Sequence, residues 1–357
     1  MNIDEFEILM EKCRISLDDR EDCTNVIFEP FSAQDAQLVG KVIKNNHLEN
    51  CPLADFQAIV QQYKPAYQAR RKLKQQKAED FSRMTTGQVE ALSVEQKLEY
   101  LEILFPAGQT KSQLMEVCRK NEANIKACLL NMPFPESFWN NEKKSADRFV
   151  SLIAGRSEIT DKIKHWQNTT LEDKKQVIKQ AGQIFNYVYG IAPHISFFTP
   201  EEEKAKRKAQ GLNENAHINA AYFVNGRIYF NEERLQNSDN FFAISVLFHE
   251  GTHMRQHCTE FEDKSVDRIL KCDVTNANVY EDEINNKNSA EYKDIYTMQP
   301  SEVHAHGLQK YVEDRLTEKT GIEKTHFNEI NTETKQVHNK AFSMAAVSQY
   351  LSSQHEK

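Results

Sequence analysis

The sequence predicts a mainly α-helical protein with a small mixed sheet, made of a helical N-terminal domain and an α+β C-terminal domain. Glycine is scarce, at 11 of 357 residues, and the many Lys, Glu and Gln residues favour helix over sheet. Apolar residues recur at helical spacing up to about residue 132, without a convincing strand. Strand-like runs occur only later, and a chain of this length usually forms more than one core.

The first domain is predicted to span residues 1–135 and to be helical. Its basic run, residues 70–74, has helical composition and is interpreted as a solvated helix face. A polar stretch over residues 133–141, which contains prolines, is the expected boundary. The second domain then covers residues 145–357.

The second domain opens with a strong helix signal. Thr170 and Asp173 resemble a capping box, and the apolar stripe that follows them ends at Gly190. The short apolar run 194–198 predicts a strand, and the charged residues 201–209 predict a helix after it.

A β-hairpin is the clearest strand signal in the chain. The runs 220–224 and 227–230 are both strand-like, and Asn225 and Gly226 stand between them. Asn-Gly is the strongest short-range hairpin signal, since both turn residues need positive φ. We therefore expect the two runs to pair as neighbouring strands.

Three helices are predicted after the hairpin. Ser238 and Asp239 are good N-cap residues for a helix over residues 241–258, whose first half is apolar nearly all round and should be buried. Pro300 opens a second helix of about 18 residues, and residues 332–350 are predicted to form the third.

Composition argues against two classes of partner. The formal net charge is −8, so the chain lacks the positive potential that neutralises phosphates, and nucleic acid is not expected. No stretch is apolar for about 18 residues, so no membrane span is expected.

The N-terminus is acidic, unlike a signal peptide, and the seven cysteines form no Cys-x-x-Cys pair. A reducing, cytoplasmic location is therefore expected.

The segment His249-Glu250-Gly251-Thr252-His253 carries the strongest chemical signal. On a helix, two histidines four residues apart project from one face and can share a metal ion. Glu250 flanks that face, where its carboxylate can hold a metal-bound water instead of the metal. The alternative is a helix with two ordinary histidines, but unpaired polar groups are costly on a buried helix, which favours the metal.

This segment, with the helix, strand and hairpin before it, resembles the zincin metallopeptidases from about Leu171 to Tyr311. The resemblance implies zinc (Zn2+) as cofactor and a peptide or protein as substrate. In that fold the strand before the active-site helix is a sheet edge, along which substrate lies extended. The resemblance gives this substrate-binding role to Arg227, Ile228, Tyr229 and Phe230.

The same resemblance assigns a third zinc ligand. In the gluzincin branch it is a Glu on the following helix, and Glu302 matches it. In metzincins it is a His six residues after the second ligand, but Thr259 occupies that position, so this branch does not fit. A carboxylate near the start of a helix also complements the helix dipole, which is the structural alternative for Glu302.

Further histidines surround this motif. His306 lies four residues after Glu302 on the same helix face and is a candidate ligand, ligand partner or proton donor. Gluzincins often carry an acidic residue there, so the chain departs from the family at this position. His304 points elsewhere, and His257 lies too far along its helix to reach the same ion, so we expect it to pack or to support a ligand.

The resemblance implies a hydrolytic mechanism. Zinc would lower the pKa of its water, and Glu250 would accept a proton as hydroxide attacks the peptide carbonyl and then pass it to the leaving amine. The oxyanion needs one further donor beside zinc. Tyr296 and His306 are our candidate catalytic residues beside Glu250, with Tyr292 and His338 as alternative donors.

Residues 98–132 resemble a second family, the CUE and related UBA-like three-helix modules that bind ubiquitin. A Phe-Pro pair ends the first helix, and apolar residues lie near the end of the third, although the terminal Leu-Leu of the family falls nearer Met132 here. The alternative is three amphipathic helices inside a larger domain, with their apolar side chains in its core. The resemblance implies ubiquitin as a partner through Phe105, Pro106, Leu129 and Leu130.

Three functions therefore compete. The first is a zinc endopeptidase with a helical targeting domain, for which a bacterial effector delivered to a host cytosol without a classical signal peptide is one setting. The second is a protein-binding module whose zincin fold has lost activity. The third is a zinc amidase acting on non-peptide substrates. Retention of Glu250 beside both histidines favours an active enzyme.

Overall fold

The computed structural model describes residues 1–20, 23–31, 33–106, 111–130, 132, 134–209, 218–224, 226–271 and 299–325. Within these ranges the chain is mainly helical, with 14 helices and two small sheets, which confirms the predicted mainly α class with small sheets. The chain divides into two compact units, Met1–Ile125 and Lys126–Lys357. None of the described helices is both long and apolar enough to cross a membrane.

The first unit alternates one hairpin with helices of very different length. Its elements are α1 (Ile3–Lys12), β1 (Cys13–Arg20), β2 (Cys23–Pro30), α2 (Ala33–Asn45), α3 (Leu53–Arg83), α4 (Thr86–Glu90) and α5 (Val94–Leu104), followed by α6 (Lys111–Leu130), which begins in this unit.

The hairpin of the first unit is not predicted by the sequence pattern. β1 and β2 pair antiparallel along their whole length, beginning with Cys13 opposite Pro30. The expectation of a purely helical first domain is therefore wrong. The apolar run around Val26 is too short for its periodicity to separate strand from helix, and Val26 is buried in one apolar cluster with Leu9 and Val39 of the flanking helices. Packing against the flanking helices therefore determines that the segment around Val26 forms a strand.

The basic run on α3 contacts acidic residues of α1. Arg70 bonds to Asp4 and to Glu7, and Lys74 Nζ lies 3.0 Å from Glu11 Oε2. The side chains of Arg70 and Lys74 remain 40% and 39% exposed, and the residues between them are exposed, so the predicted solvated face is confirmed and also carries these ion pairs. Water screens ion pairs as exposed as these, so they add little to the stability of the unit.

The segment 98–132 does not form the predicted three-helix module. After the residues at 107–110, which are outside the described ranges, Lys111–Leu130 is one continuous helix. Residues 118–123 contain neither Gly nor Pro, so nothing in the sequence ends a helix there. Phe105 is half-buried, Pro106 is exposed and Leu129 is buried, so Leu129 offers no surface to ubiquitin in this conformation. The side chain of Leu130 is outside the described set.

The second unit holds all the predicted metal-site elements. Its elements are α7 (Glu136–Ala154), α8 (Ser157–Lys164), a 3-10 turn (Trp166–Asn168), α9 (Leu171–Tyr189), β3 (His194–Phe198), α10 (Pro200–Ala209), β4 (Ala221–Val224), β5 (Arg227–Asn231), α11 (Glu232–Gln236), α12 (Phe242–Cys258), α13 (Lys264–Lys271) and α14 (Pro300–Thr320).

Helix α7 begins inside the stretch 133–141 that the sequence suggests as a domain boundary. Its buried face carries Trp139, Glu142, Ala146 and Phe149, at the three- and four-residue spacing of a helix that packs on a core. The polar residues between these positions make the stretch resemble a linker in composition.

The helix predicted after Thr170 is confirmed as α9. The Thr170 hydroxyl accepts the N–H of Asp173, and the helix ends at Gly190 in the left-handed conformation, with φ 71°. α9 packs against α12, where the ring of Phe185 lies on Gly251. A Cβ atom at Gly251 would lie 2.7 Å from Phe185 Cζ, so this close approach requires glycine.

The three-stranded sheet has the order β3–β5–β4. β3 pairs parallel with β5, and β4 pairs antiparallel with it, so the strand at 194–198 and the hairpin are confirmed. The assignment of the sheet edge to Arg227, Ile228, Tyr229 and Phe230 is wrong, because β5 lies between two neighbours. Ile228 and Phe230 are fully buried, as suits a central strand.

Candidate metal centre

Helix α12 carries His249, Glu250 and His253 through the interior of the second unit. The helix is buried along most of its length, as predicted. Asp239 caps its start, since Oδ1 accepts the N–H groups of Phe241 and Phe242 at 2.9 Å each. The two imidazoles project from the same face, and their Nε2 atoms lie 3.1 Å apart.

Helix α14 brings a carboxylate to these imidazoles. Pro300 lies at the start of the helix, and Glu302 is in its first turn, buried at 5% exposure. Glu302 Oε1 lies 3.4 Å from Nε2 of His253, and Oε2 lies 3.8 Å from Nε2 of His249. The structure thus brings together the three residues that the resemblance assigns as zinc ligands.

His306 also belongs to this group. Its Nε2 lies 3.5 Å from Glu302 Oε2, and its ring centroid is 4.3 Å from that of His249. His249, Glu302 and His306 each offer one ligand atom within 4.8 Å of the others. His306 is therefore placed either to bind a metal held by Glu302 or to contact a group bound to that metal.

The donor set fits a tetrahedral zinc ion. Zinc holds nitrogen and oxygen ligands at about 2.0–2.1 Å, so tetrahedral neighbours lie about 3.3 Å apart. The Nε2 atoms of His249 and His253 lie 3.1 Å apart, and Glu302 approaches them through different oxygens, with Oε1 3.4 Å from His253 and Oε2 3.8 Å from His249, so both carboxylate oxygens lie close to the imidazole pair. Imidazole nitrogen and carboxylate oxygen are also the ligand types that zinc prefers.

Glu250 lies beside this group, next to the sheet. Its carboxylate faces the backbone N–H of Phe223 in β4, which favours the charged form. Burial raises the pKa of Glu250 to about 7, with Glu302 adding to the rise and His253 opposing it. A carboxyl with this pKa exchanges a proton readily at neutral pH.

The charges of the group interact strongly without a metal. Burial would lower the pKa of His253, but the nearby Glu302 carboxylate outweighs it and raises the pKa to about 9. For His306 burial prevails, and its pKa is lowered. A metal would replace the proton on His253, since an imidazole binds metal only when neutral.

A second layer of polar residues lies behind His253. Its Nδ1 is 2.9 Å from Gln256 Oε1, and Gln256 Nε2 lies 3.0 Å from His304 Nδ1. His304 Nε2 lies 3.1 Å from Glu142 Oε2, and Arg255 donates two hydrogen bonds to the same carboxylate at 2.7 and 2.9 Å. All four of these partners are buried.

The charge of this layer is fixed by the ion pair. Burial would raise the pKa of Glu142, but Arg255 and His304 outweigh it and hold the pKa well below its usual range. Arg255 also lies over the ring of Tyr189, at 4.1 Å from its centroid, which stabilises the cation.

Some predicted residues lie away from the group or outside the described ranges. The ring of His257 packs near Phe223, at 5.6 Å between centroids, which agrees with a packing role. His304 points away from the imidazole pair, towards Glu142. The candidate donors Tyr292, Tyr296 and His338 and the helix predicted at 332–350 fall outside the described residues.

Sequence reasoning missed Glu142, Arg255 and Gln256. Arg255 and Gln256 stand on a helix predicted to be buried, and a buried cation requires an anionic partner. That signal predicts a carboxylate near Arg255, but it does not identify Glu142, which is 113 positions away in the chain.

Comparison with known proteins assigns no family. No protein-family model, curated protein or solved structure matches the chain. The case for a function therefore depends on the geometry and chemistry of the site itself.

Proposed function

We propose that the chain is a zinc-dependent peptidase that hydrolyses peptide bonds. The observation that supports this best is the meeting of two imidazole nitrogens, 3.1 Å apart, with a carboxylate whose oxygens lie 3.4 and 3.8 Å from them, beside Glu250. Hydrolytic zinc sites have three protein ligands of this kind and keep one position for water. A buried acid outside the ligand set is the remaining requirement, and Glu250 meets it.

Each residue has a distinct role in this proposal. His249, His253 and Glu302 would hold the metal, which would supply an activated water as nucleophile. Glu250 would accept a proton from that water and return it to the leaving amine, for which its pKa of about 7 is well suited. His306, next to Glu302, is the described residue best placed to donate a hydrogen bond to the substrate carbonyl oxygen.

The substrate strand is proposed to pair with β4, the strand next to the site. The Ala220 carbonyl accepts the N–H of Asn231 in β5, so by alternation the backbone groups of Ala221 and Phe223 point away from β5. No described strand covers that edge. Glu250 faces the Phe223 N–H on that side, so a peptide added along β4 would pass beside the proposed general base.

The test combines metal content with turnover of a peptide library. We expect about one zinc per chain, and Glu250→Gln should keep the zinc and lose about 100- to 10,000-fold in kcat. His253→Ala should lose both zinc and activity. His165→Ala, which removes an exposed histidine of the same unit, is the matched control and should keep both.

Other outcomes select the competing functions or reject the proposal. Zinc binding with no cleavage of any peptide would identify a binding module, and turnover of small amides alone would identify an amidase. A folded chain that binds no transition metal, or a Glu250→Gln variant with full activity, would show that the proposal is wrong.

A further inference from the structure

We propose that Gln256 holds a proton on Nδ1 of His253 and so directs the Nε2 lone pair at the metal. This inference rests on the proposed function, because it concerns a ligand of the same site. It makes Gln256 a positioning residue, which touches neither metal nor substrate. Gln256 follows His253 by three residues on α12 and is 3% exposed, so water does not compete for its amide group.

The orientation of the Gln256 amide follows from one backbone group. The Ser301 carbonyl oxygen can only accept a hydrogen bond, so the amide atom 3.0 Å from it is the nitrogen Nε2. The amide oxygen Oε1 then faces Nδ1 of His253 at 2.9 Å. Because an amide oxygen also only accepts, Nδ1 is the donor and carries a proton.

The second hydrogen of the Gln256 amide determines the tautomer of His304 in the same way. Gln256 Nε2 donates to Nδ1 of His304 at 3.0 Å, so the His304 proton sits on Nε2 and is donated to Glu142 at 3.1 Å. Arg255 donates to both carboxylate oxygens of Glu142, which keeps it an acceptor. Every contact thus pairs one donor with one acceptor, and the Ser301 carbonyl and the Glu142 carboxylate, which only accept, fix the direction of the series.

The arrangement leaves one nitrogen of His253 for the metal. With the proton on Nδ1, the Nε2 lone pair of the neutral ring is directed at the space shared with His249 and Glu302, 3.1 and 3.4 Å away. The opposite tautomer would place two acceptors, Nδ1 and the Gln256 oxygen, 2.9 Å apart. Outer hydrogen bonds of this kind hold the ring of a ligating histidine and raise its basicity.

Zinc affinity of the full chain is the first test. In competition with a chromogenic chelator, we expect Gln256→Ala to bind zinc about 10- to 100-fold more weakly than the wild type. Gln256→Glu keeps an acceptor for Nδ1 and should bind more tightly than Gln256→Ala. Gln180→Ala, which shortens a half-buried glutamine on α9, is the control and should match the wild type. Equal affinity of Gln256→Ala and the wild type would refute the inference.

The second test locates the proton in a two-bond 1H–15N spectrum of the labelled chain. In the zinc-loaded wild type, the His253 proton is expected on Nδ1 and the metal on Nε2, and a metal on Nδ1 would refute the inference. If the wild type binds no zinc, the proposed function fails, and the spectrum of the metal-free chain is recorded at a pH at which its own 15N shifts show the His253 ring to be neutral. The inference is supported if the wild-type ring carries its proton on Nδ1 and the ring in Gln256→Ala is a mixture of both tautomers. A proton on Nε2 in the wild type refutes the inference.

Discussion

At the scale of single residues, Glu142 and Arg255 form a buried ion pair in the second unit. The two side chains are joined by two hydrogen bonds and are both buried, so neither charge is screened by water. Removing one partner leaves the other as an unpaired buried charge, which costs about 3–5 kcal/mol. His304, whose Nε2 lies 3.1 Å from Glu142, depends on this pair for its orientation.

The pair predicts how stability depends on pH. The pKa of Glu142 is lowered in the folded chain, so its contribution is complete above the ordinary value of 4.5 and is lost as the pH falls towards the folded value. We expect the difference in free energy of unfolding between the wild type and Glu142→Gln to shrink from about pH 5 downwards. Urea unfolding at several pH values measures it. Glu158→Gln on the exposed side of α8 should differ from the wild type by less than about 0.5 kcal/mol at each pH.

Gly251 gives a second prediction at this scale. An alanine there would meet the Phe185 ring at 2.7 Å, in a core where that ring is fully buried. We expect Gly251→Ala to lower the free energy of unfolding by about 1–3 kcal/mol, although alanine is the better helix former. Gly40→Ala on α2, where nothing lies within 4 Å, should instead raise stability by up to about 1 kcal/mol. Equal effects of the two changes in urea unfolding would contradict this account.

At the scale of elements, β4 and α14 contribute different groups to the candidate site. β4 offers backbone groups beside Glu250. α14 supplies Glu302 to the imidazole pair, and its neighbouring residues Ser301 and His304 contact Gln256. A single turn of α14 therefore carries both a proposed ligand and the support of a second proposed ligand.

The role of β4 can be tested with proline. Ala221→Pro removes an N–H that points away from β5, so the hairpin should persist while one hydrogen bond to substrate is lost. We expect kcat/KM to fall about tenfold with zinc content unchanged. Tyr222→Pro removes an N–H of the β4–β5 ladder and should instead lower stability. A peptidase whose kcat/KM is unaffected by Ala221→Pro would not use this edge.

At the scale of the whole molecule, local patterns predict more of the fold than long-range ones. The capped helix after Thr170, the β4–β5 hairpin and the buried helix α12 each follow from residues a few positions apart, and all three are present. The edge assigned to β5 is wrong because position in a sheet depends on β3, which joins it through a crossover. The β1–β2 hairpin was missed because its strands are decided by packing against helices.

The candidate site also contains residues that local spacing predicts and residues that it cannot predict. The spacing of His249 and His253 places them on one helix face, and Glu302 follows from the family resemblance. The polar layer behind His253 could not be predicted, because its contacts join residues 113 and 162 positions apart. Spacing along a helix carries information about one face, but not about which distant helix meets it.

The two groups that hold the Gln256 amide stand three residues apart on α14, since the Ser301 carbonyl and Nδ1 of His304 both accept from its Nε2. Three residues are a little less than one turn of a helix, so both groups lie on one face. A single residue inserted between Ser301 and His304 would rotate one of them by about 100° around the helix axis and separate the two anchors of Gln256.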